Sequence, residues 1–391
     1  MWVDKTNHLE SSFILVLVPI CLAFEDDDEE EDEGRSPASP SIRLGRRTEL
    51  RMFPPPTRRM PVIPSRFQSP RFLRNGHAQT ILPVLLSRRV RMKFERDRLE
   101  LADGDFLDLD WARTGRDRLA ILTHGLEGCS TQTYIRGLAA SLGAAQWDVL
   151  AWNFRGCSGE PNRLLRAYHS GETSDLAEVV GHAAALGYRR IALVGFSLGG
   201  NMVLKYLGEA PPHPAVQAGV AISAPVDLAA CARKLDQVWS NRLYLRRFLV
   251  SLAAKIEAKA ILYPDRLDPR GVRKMRSFQE FDDRYTGPMH GFRDAADYWK
   301  QASARQFLPR ITIPTLLLQP RNDPFLAPEA FPWAEAEANE HLFLEAPESG
   351  GHVGFLDLQH GLQPWSERRV VEFLAEKVAP EIDGVAAEAN A

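Results

Sequence analysis

From about Leu99 onward, short apolar runs alternate with helical stretches, and that rhythm restricts the chain to few folds. The runs Leu119–Thr123, Val149–Phe154, Ile191–Phe196, Val216–Ser223, Thr315–Gln319 and Leu342–Leu344 are apolar on both faces. Strands have that character when a parallel sheet is covered on both sides. Between them Tyr134–Leu142, Thr173–Leu186 and Leu198–Leu207 carry helical patterns. Ahead of the first run, Leu99–Trp111 reads as a β-hairpin with Asp103-Gly104 in its turn. A hairpin followed by repeated βα units predicts an α/β fold: an open, mainly parallel central sheet with helices on both faces and ligands at the carboxyl ends of its strands.

One interval breaks the rhythm. From Pro225 to about Ser303 the chain is rich in Leu, Arg, Lys and aromatics, with helical stretches at Trp239–Lys259 and Arg293–Gln301. That is too long for a loop in a compact domain, so an inserted helical cap is expected at about 228–303, over the strand ends.

Charge separates the first sixty residues from the rest. The 391-residue chain has 48 Lys and Arg against 51 Asp and Glu, a net charge of -3. Residues 1–34 hold eleven acidic residues and one Lys, whereas residues 35–74 hold ten Arg against Glu49 alone. The remainder is nearly neutral and exerts no general pull on nucleic acid. Phe13–Phe24 is an apolar run of twelve residues, too short to span a bilayer, and Asp4 and Glu10 before it do not make the positive start of a signal peptide. Residues 1–60 are therefore expected to be a disordered leader or a misassigned start, with Met52 or Met60 as the working one, and residues 61–391 the folded α/β domain with its cap. Cys21, Cys129, Cys157 and Cys231 form no C-x-x-C pair, which fits a reducing, cytoplasmic location and neither a zinc site nor a disulfide framework.

The chemistry concentrates around Ser197. Gly195-Phe196-Ser197-Leu198-Gly199 fits G-x-S-x-G, and it stands directly after an apolar strand and directly before a helix, the setting of a nucleophile elbow. A side chain at 195 or 199 would collide with neighbouring backbone in so sharp a turn. A serine needs a base, and His352, in a loop after the last strand, is better placed than His341 on that strand or His360 beyond it. Asp323 follows the strand Thr315–Gln319 and is favoured over Asp227 as the acid that orients the imidazole. The N–H groups of Leu198 and Leu126 are the candidate oxyanion hole, the latter in His124-Gly125-Leu126-Glu127-Gly128 after the strand Leu119–Thr123. His124 is read as an anchor of that loop and Gly156–Gly159 as a turn. Neither G-x-G-x-x-G nor a P-loop motif occurs.

These segments together resemble a known family. His124–Gly128, Arg155-Gly-Cys-Ser-Gly-Glu-Pro-Asn162, Tyr168–Thr173, Gly195–Asn201, Phe281-Asp-Asp283, His290-Gly-Phe292, Asn322–Phe325 and Gly351–Phe355 resemble the YheT-like branch of the α/β-hydrolases, the AB hydrolase 4 family. Asn75-Gly-His-Ala-Gln-Thr80 resembles it too, with Ala78 where Leu is expected, and the resemblance runs from about residue 68 to 375. It implies the α/β-hydrolase fold, a triad of Ser197, Asp323 and His352, and hydrolysis of carboxyl esters, with relatives acting on short- or medium-chain esters, on phospholipids, or in acyl transfer to alcohols.

The expectation is a serine hydrolase that needs neither a metal nor an organic cofactor. Its partner would be a small-molecule acyl ester or lipid ester, with no nucleic acid and no stable membrane insertion, though peripheral contact is compatible with the leader. An acyltransferase or thioesterase would use the same acyl-enzyme. A non-catalytic binding module would normally have lost one of the three residue types, and dehalogenase or epoxide-hydrolase chemistry would want a carboxylate where Ser197 stands.

Overall fold

A computed structural model of the chain describes residues 61–86, 90 and 92–378. The expectation for residues 1–60 lies outside them. Among the described residues nine strands form one sheet: β1 (Val62–Ile63), β2 (Glu95–Glu100), β3 (Phe106–Ala112), β4 (Arg118–Thr123), β5 (Asp148–Trp152), β6 (Arg190–Phe196), β7 (Val216–Ile222), β8 (Thr315–Leu318) and β9 (Leu342–Glu345). Their order is β1-β9-β8-β7-β6-β4-β5-β3-β2. Of the pairings only β2–β3 and β3–β5 are antiparallel, so β3 alone runs against the other strands.

The helices used below are α1 (Gly76–Leu86), α2 (Thr133–Ala144), α3 (Thr173–Ala185), α4 (Leu198–Glu209), α5 (Leu228–Gln237), α6 (Arg242–Leu262), α7 (Ala295–Ala302) and α8 (Trp365–Lys377). Alternation along each strand feeds two cores. Leu119 and Ile121 of β4 and Ile191 and Leu193 of β6 pack with Leu176, Val179 and Val180 of α3 and Met202 and Val203 of α4. Ala120, Leu122, Ala192 and Val194 face the other way, onto Ile135, Leu138 and Leu142 of α2 and Val370, Phe373 and Leu374 of α8. Helices thus cover both faces, which is why these strands are apolar on both.

Two edges were not legible in the hydrophobic pattern. β2 begins at Glu95, not Leu99, and its first four residues are all exposed and all charged. It is an edge strand, held by Arg96–Asp110 and Arg98–Asp108 pairs across to β3. The other edge, β1, is two residues long and pairs in parallel with β9.

The sheet reverses its winding at β4, which has β5 on one side and β6 on the other. A crevice opens outside the carboxyl ends of strands at such a switch point. Between β7 and β8 the chain runs through α5, α6 and α7, and Leu245, Leu249 and Ile256 of α6 and Trp299 of α7 form a third cluster with Phe325 and with Phe278 and Phe281 from the segment between α6 and α7. No helix among the described residues is long and apolar enough to cross a membrane.

Candidate active site

Ser197 joins β6 directly to α4, and the turn allows no intervening residue. Its backbone sits at φ 53°, ψ -120°, a conformation costly for a residue with a side chain. The turn is held by the Ser197 N–H to the Ile222 carbonyl of β7, 2.8 Å, and by the Asn201 N–H to the Ser197 carbonyl, 3.0 Å. A Cβ at Gly195 would strike the backbone of Gly199, and one at Gly199 the carbonyls of Thr123 and His124, so both glycines are required for close approach.

Two loops at the ends of β8 and β9 bring the other candidates to the same place. Asp323 is 1% exposed, its Oδ1 accepts from the Phe325 N–H at 2.8 Å, and its Oδ2 lies 2.8 Å from His352 Nδ1. The Phe325 ring packs against the imidazole with centroids 4.2 Å apart. His352 and Ser197 both open on one cavity, although no hydrogen bond joins their side chains. The rival residues lie elsewhere. Asp227 caps α5, accepting from the Ala230 N–H at 3.0 Å. His341 precedes β9, one residue short of the strand where it was expected, and His360 is exposed in the loop before α8.

The remaining two candidates also line the cavity. Leu198 is the first residue of α4, where the helix end favours negative charge. In the loop after β4, the Gly125 N–H goes to Tyr134 Oη at 3.1 Å and the Glu127 N–H to Tyr168 Oη at 3.0 Å. The Leu126 N–H between them has no acceptor among the described residues. His124 anchors this loop: fully buried, it is held down to about 3 by desolvation, so the ring is neutral. Its Nε2 accepts from the Phe154 N–H and its Nδ1 donates to the Gly125 carbonyl.

Several positioning contacts had no signal in the spacing of the motifs. The His352 N–H donates to Thr80 Oγ1 at 2.8 Å, and the Val353 N–H to Ser223 Oγ at 3.1 Å. Lys234 of α5 donates to the carbonyls of Asp323 and Leu326, fixing the acid's loop. The segment Asn75–Thr80 owes its composition to these loops: Asn75 accepts the His77 and Ala78 N–H groups, Gln79 pairs with both backbone groups of Leu356, and Gly76 packs on the Asn322 carbonyl.

The cavity has a volume of about 160 Å³. Leu235, Phe248, Leu252, Phe278 and Tyr285 of the inserted segment give it apolar walls. Asp282 is a polar exception. Burial pushes its carboxyl up to about 7, against hydrogen bonds from Thr286 and Trp299. Burial pushes the Cys157 thiol up to about 11, away from the thiolate that a nucleophile needs.

A strained serine between a parallel strand and a helix, opening on the same cavity as a histidine paired with an aspartate, is the arrangement of an α/β-hydrolase site. The family model for the alpha/beta hydrolase fold matches residues 121–358, and the chain belongs to that family, in its YheT-like branch. The Escherichia coli (strain K12) protein named "Putative esterase YheT" is 39% identical over 316 residues, covering 77% of this chain and 90% of that one. Phospholipase ABHD3 of Bos taurus is 27% identical over 307 residues, covering 76% and 75%. Among solved structures, an esterase from Pyrococcus furiosus, Pf2001, matches with a TM-score of 0.51 at 18% identity, over 74% of this chain and 93% of that one, a likeness of fold.

Proposed function

We propose that this protein is a serine hydrolase of carboxylic esters, acting through an acyl-enzyme on Ser197. The observation that carries the reading is the 2.8 Å contact between Asp323 Oδ2 and His352 Nδ1, opening on the same apolar cavity as a serine in a strained elbow. Relatives named as an esterase and a phospholipase support the ester as the substrate bond.

His352 Nε2 takes the Ser197 proton as Oγ attacks the acyl carbonyl. The N–H groups of Leu126 and Leu198 hold the oxyanion, each contributing about 3 kcal/mol in the transition state. His352 then gives the proton to the leaving alkoxide, which departs as the alcohol. In the second half it takes a proton from water as the water oxygen attacks the acyl carbon, and then gives that proton to Ser197 Oγ as the acyl–Oγ bond breaks, releasing the acid and restoring the serine hydroxyl and the neutral imidazole. Asp323 holds Nδ1 protonated and steadies the imidazolium. The apolar wall that the inserted helices give the cavity supports an ester whose acyl arm is apolar and lies against them.

A chain-length series of acyl esters, run on wild type and Ser197→Ala, tests the reading. The rate should peak at short to medium chains and fall about 10⁴-fold or more in the variant. Equal residual rates in both proteins would remove Ser197 as the nucleophile. An added alcohol, followed by product analysis, separates hydrolysis from acyl transfer through the same intermediate.

A further inference from the structure

The loop that carries the Leu126 N–H is not held by the central sheet alone. Glu127, the next residue, has φ 55°, a left-handed backbone that a glutamate adopts only when its surroundings enforce it. Its carboxylate supplies the enforcement. Oε1 accepts from Tyr168 Oη at 2.6 Å and lies 2.8 Å from Lys255 Nζ, and Oε2 accepts from Ser251 Oγ. Tyr168 in turn accepts the Glu127 N–H, so one phenol holds both ends of the residue.

Ser251 and Lys255 stand four residues apart on α6, on the same face of the helix. The side chain of Glu127 is only 6% exposed, and that of Lys255 is 33% exposed and lines the cavity. Burial pushes the Glu127 carboxyl up, but Lys255 and the two hydroxyls pull it below its ordinary value, so it is ionised at neutral pH. A buried carboxylate whose cation is removed must either move to water or take up a proton. Either response acts on the residue bonded to Leu126.

Given the esterase reading above, on which this rests, we propose that Glu127 and Lys255 are positioning residues for the oxyanion donor. Helix α6 of the inserted segment, through this pair, sets where the Leu126 N–H stands. Neither side chain touches the reacting atoms. Their effect is exerted in the transition state, because the ground-state carbonyl does not need the donor at full strength and the oxyanion does. The inserted helices would therefore do two things, forming the acyl wall and completing the oxyanion hole.

The test uses the full chain with Lys255→Met, Lys255→Arg and Ser251→Ala, a short-chain ester, a trifluoromethyl ketone that forms a tetrahedral oxyanion adduct, and the product carboxylic acid as a ligand without one. Lys255→Met should lower kcat at least about tenfold with KM within about twofold. Ketone affinity should fall by a similar factor and product-acid affinity should not. Lys255→Arg should recover most of the loss. Ser251→Ala removes one hydrogen bond and no charge, and should show the same pattern at smaller size, which keeps the test open if Lys255→Met does not fold. Folded Lys255→Met with wild-type kcat and ketone affinity, or a loss confined to KM, overturns the proposal. Wild-type protein that hydrolyses no ester overturns the esterase reading, and this proposal with it.

Discussion

His352 Nδ1 and Asp323 Oδ2 lie 2.8 Å apart on loops that leave the carboxyl ends of two adjacent parallel strands, β9 and β8. Because the strands are neighbours, the two loops need little length to meet, and each is tied down independently. Lys234 fixes the carbonyls around the acid, and Thr80 and Ser223 fix the backbone around the base. Asp323→Asn preserves shape but favours the wrong tautomer of His352. It should lower kcat about 10³- to 10⁴-fold with little change in melting temperature. Steady-state kinetics with a thermal scan checks this, and a kcat within tenfold of wild type would exclude Asp323 from the role.

Thr80 reaches the base from the other end of the chain, 272 residues away. Thr80→Val keeps the volume and removes the acceptor of the His352 N–H, leaving a partly buried donor without its partner at a cost of about 1–3 kcal/mol. The base loop should lose register, with kcat/KM down about tenfold. Unchanged kinetics would show that Ser223 and the neighbouring turn suffice.

Gly199 packs against the Thr123 and His124 carbonyls with no room for a methyl group. Gly199→Ala forces α4 away from β4 and should cost about 3 kcal/mol or more, since backbone on both sides leaves nothing flexible to yield. Urea denaturation measures it. A midpoint equal to that of wild type would mean the elbow is looser than its geometry.

Asp282 makes stability depend on pH in a direction opposite to that of most acidic residues. Burial pushes its carboxyl up to about 7 in the folded protein. An unfolded aspartate titrates near 4, so as pH rises from about 4 to about 7 the unfolded chain releases a proton that the folded protein keeps. Folding is therefore progressively penalised over that window, levelling off above it at a cost on the order of 4 kcal/mol. Asp282→Asn carries no such penalty, so its stability relative to wild type should rise between pH 5 and pH 8. Denaturant midpoints at the two pH values decide it, and a constant difference would contradict the account.

Much of this was legible in the sequence because each part is short-range or obeys a rule of order. The parallel strands were readable since cover on both faces makes them apolar on both, and Ser197 since strand, sharp turn and helix are contiguous. His352 and Asp323 followed from position after the last strands. Pattern failed where stability comes from something other than alternation. The charged start of β2 is held by cross-strand ion pairs, and α1 contains Pro83, which argues against a helix locally. The contacts of Thr80, Lys234, Glu127 and Lys255 are set by tertiary packing alone, and no spacing encodes them.

The central claim is that Ser197 is the nucleophile, and covalent labelling tests it most directly. Folded wild-type protein treated with a fluorophosphonate, digested and analysed by mass spectrometry should carry one phosphonyl group, on the peptide containing Ser197, with loss of esterase activity in proportion to labelling. Absence of label on that peptide, or a label on another serine that abolishes activity equally in Ser197→Ala, would contradict the account.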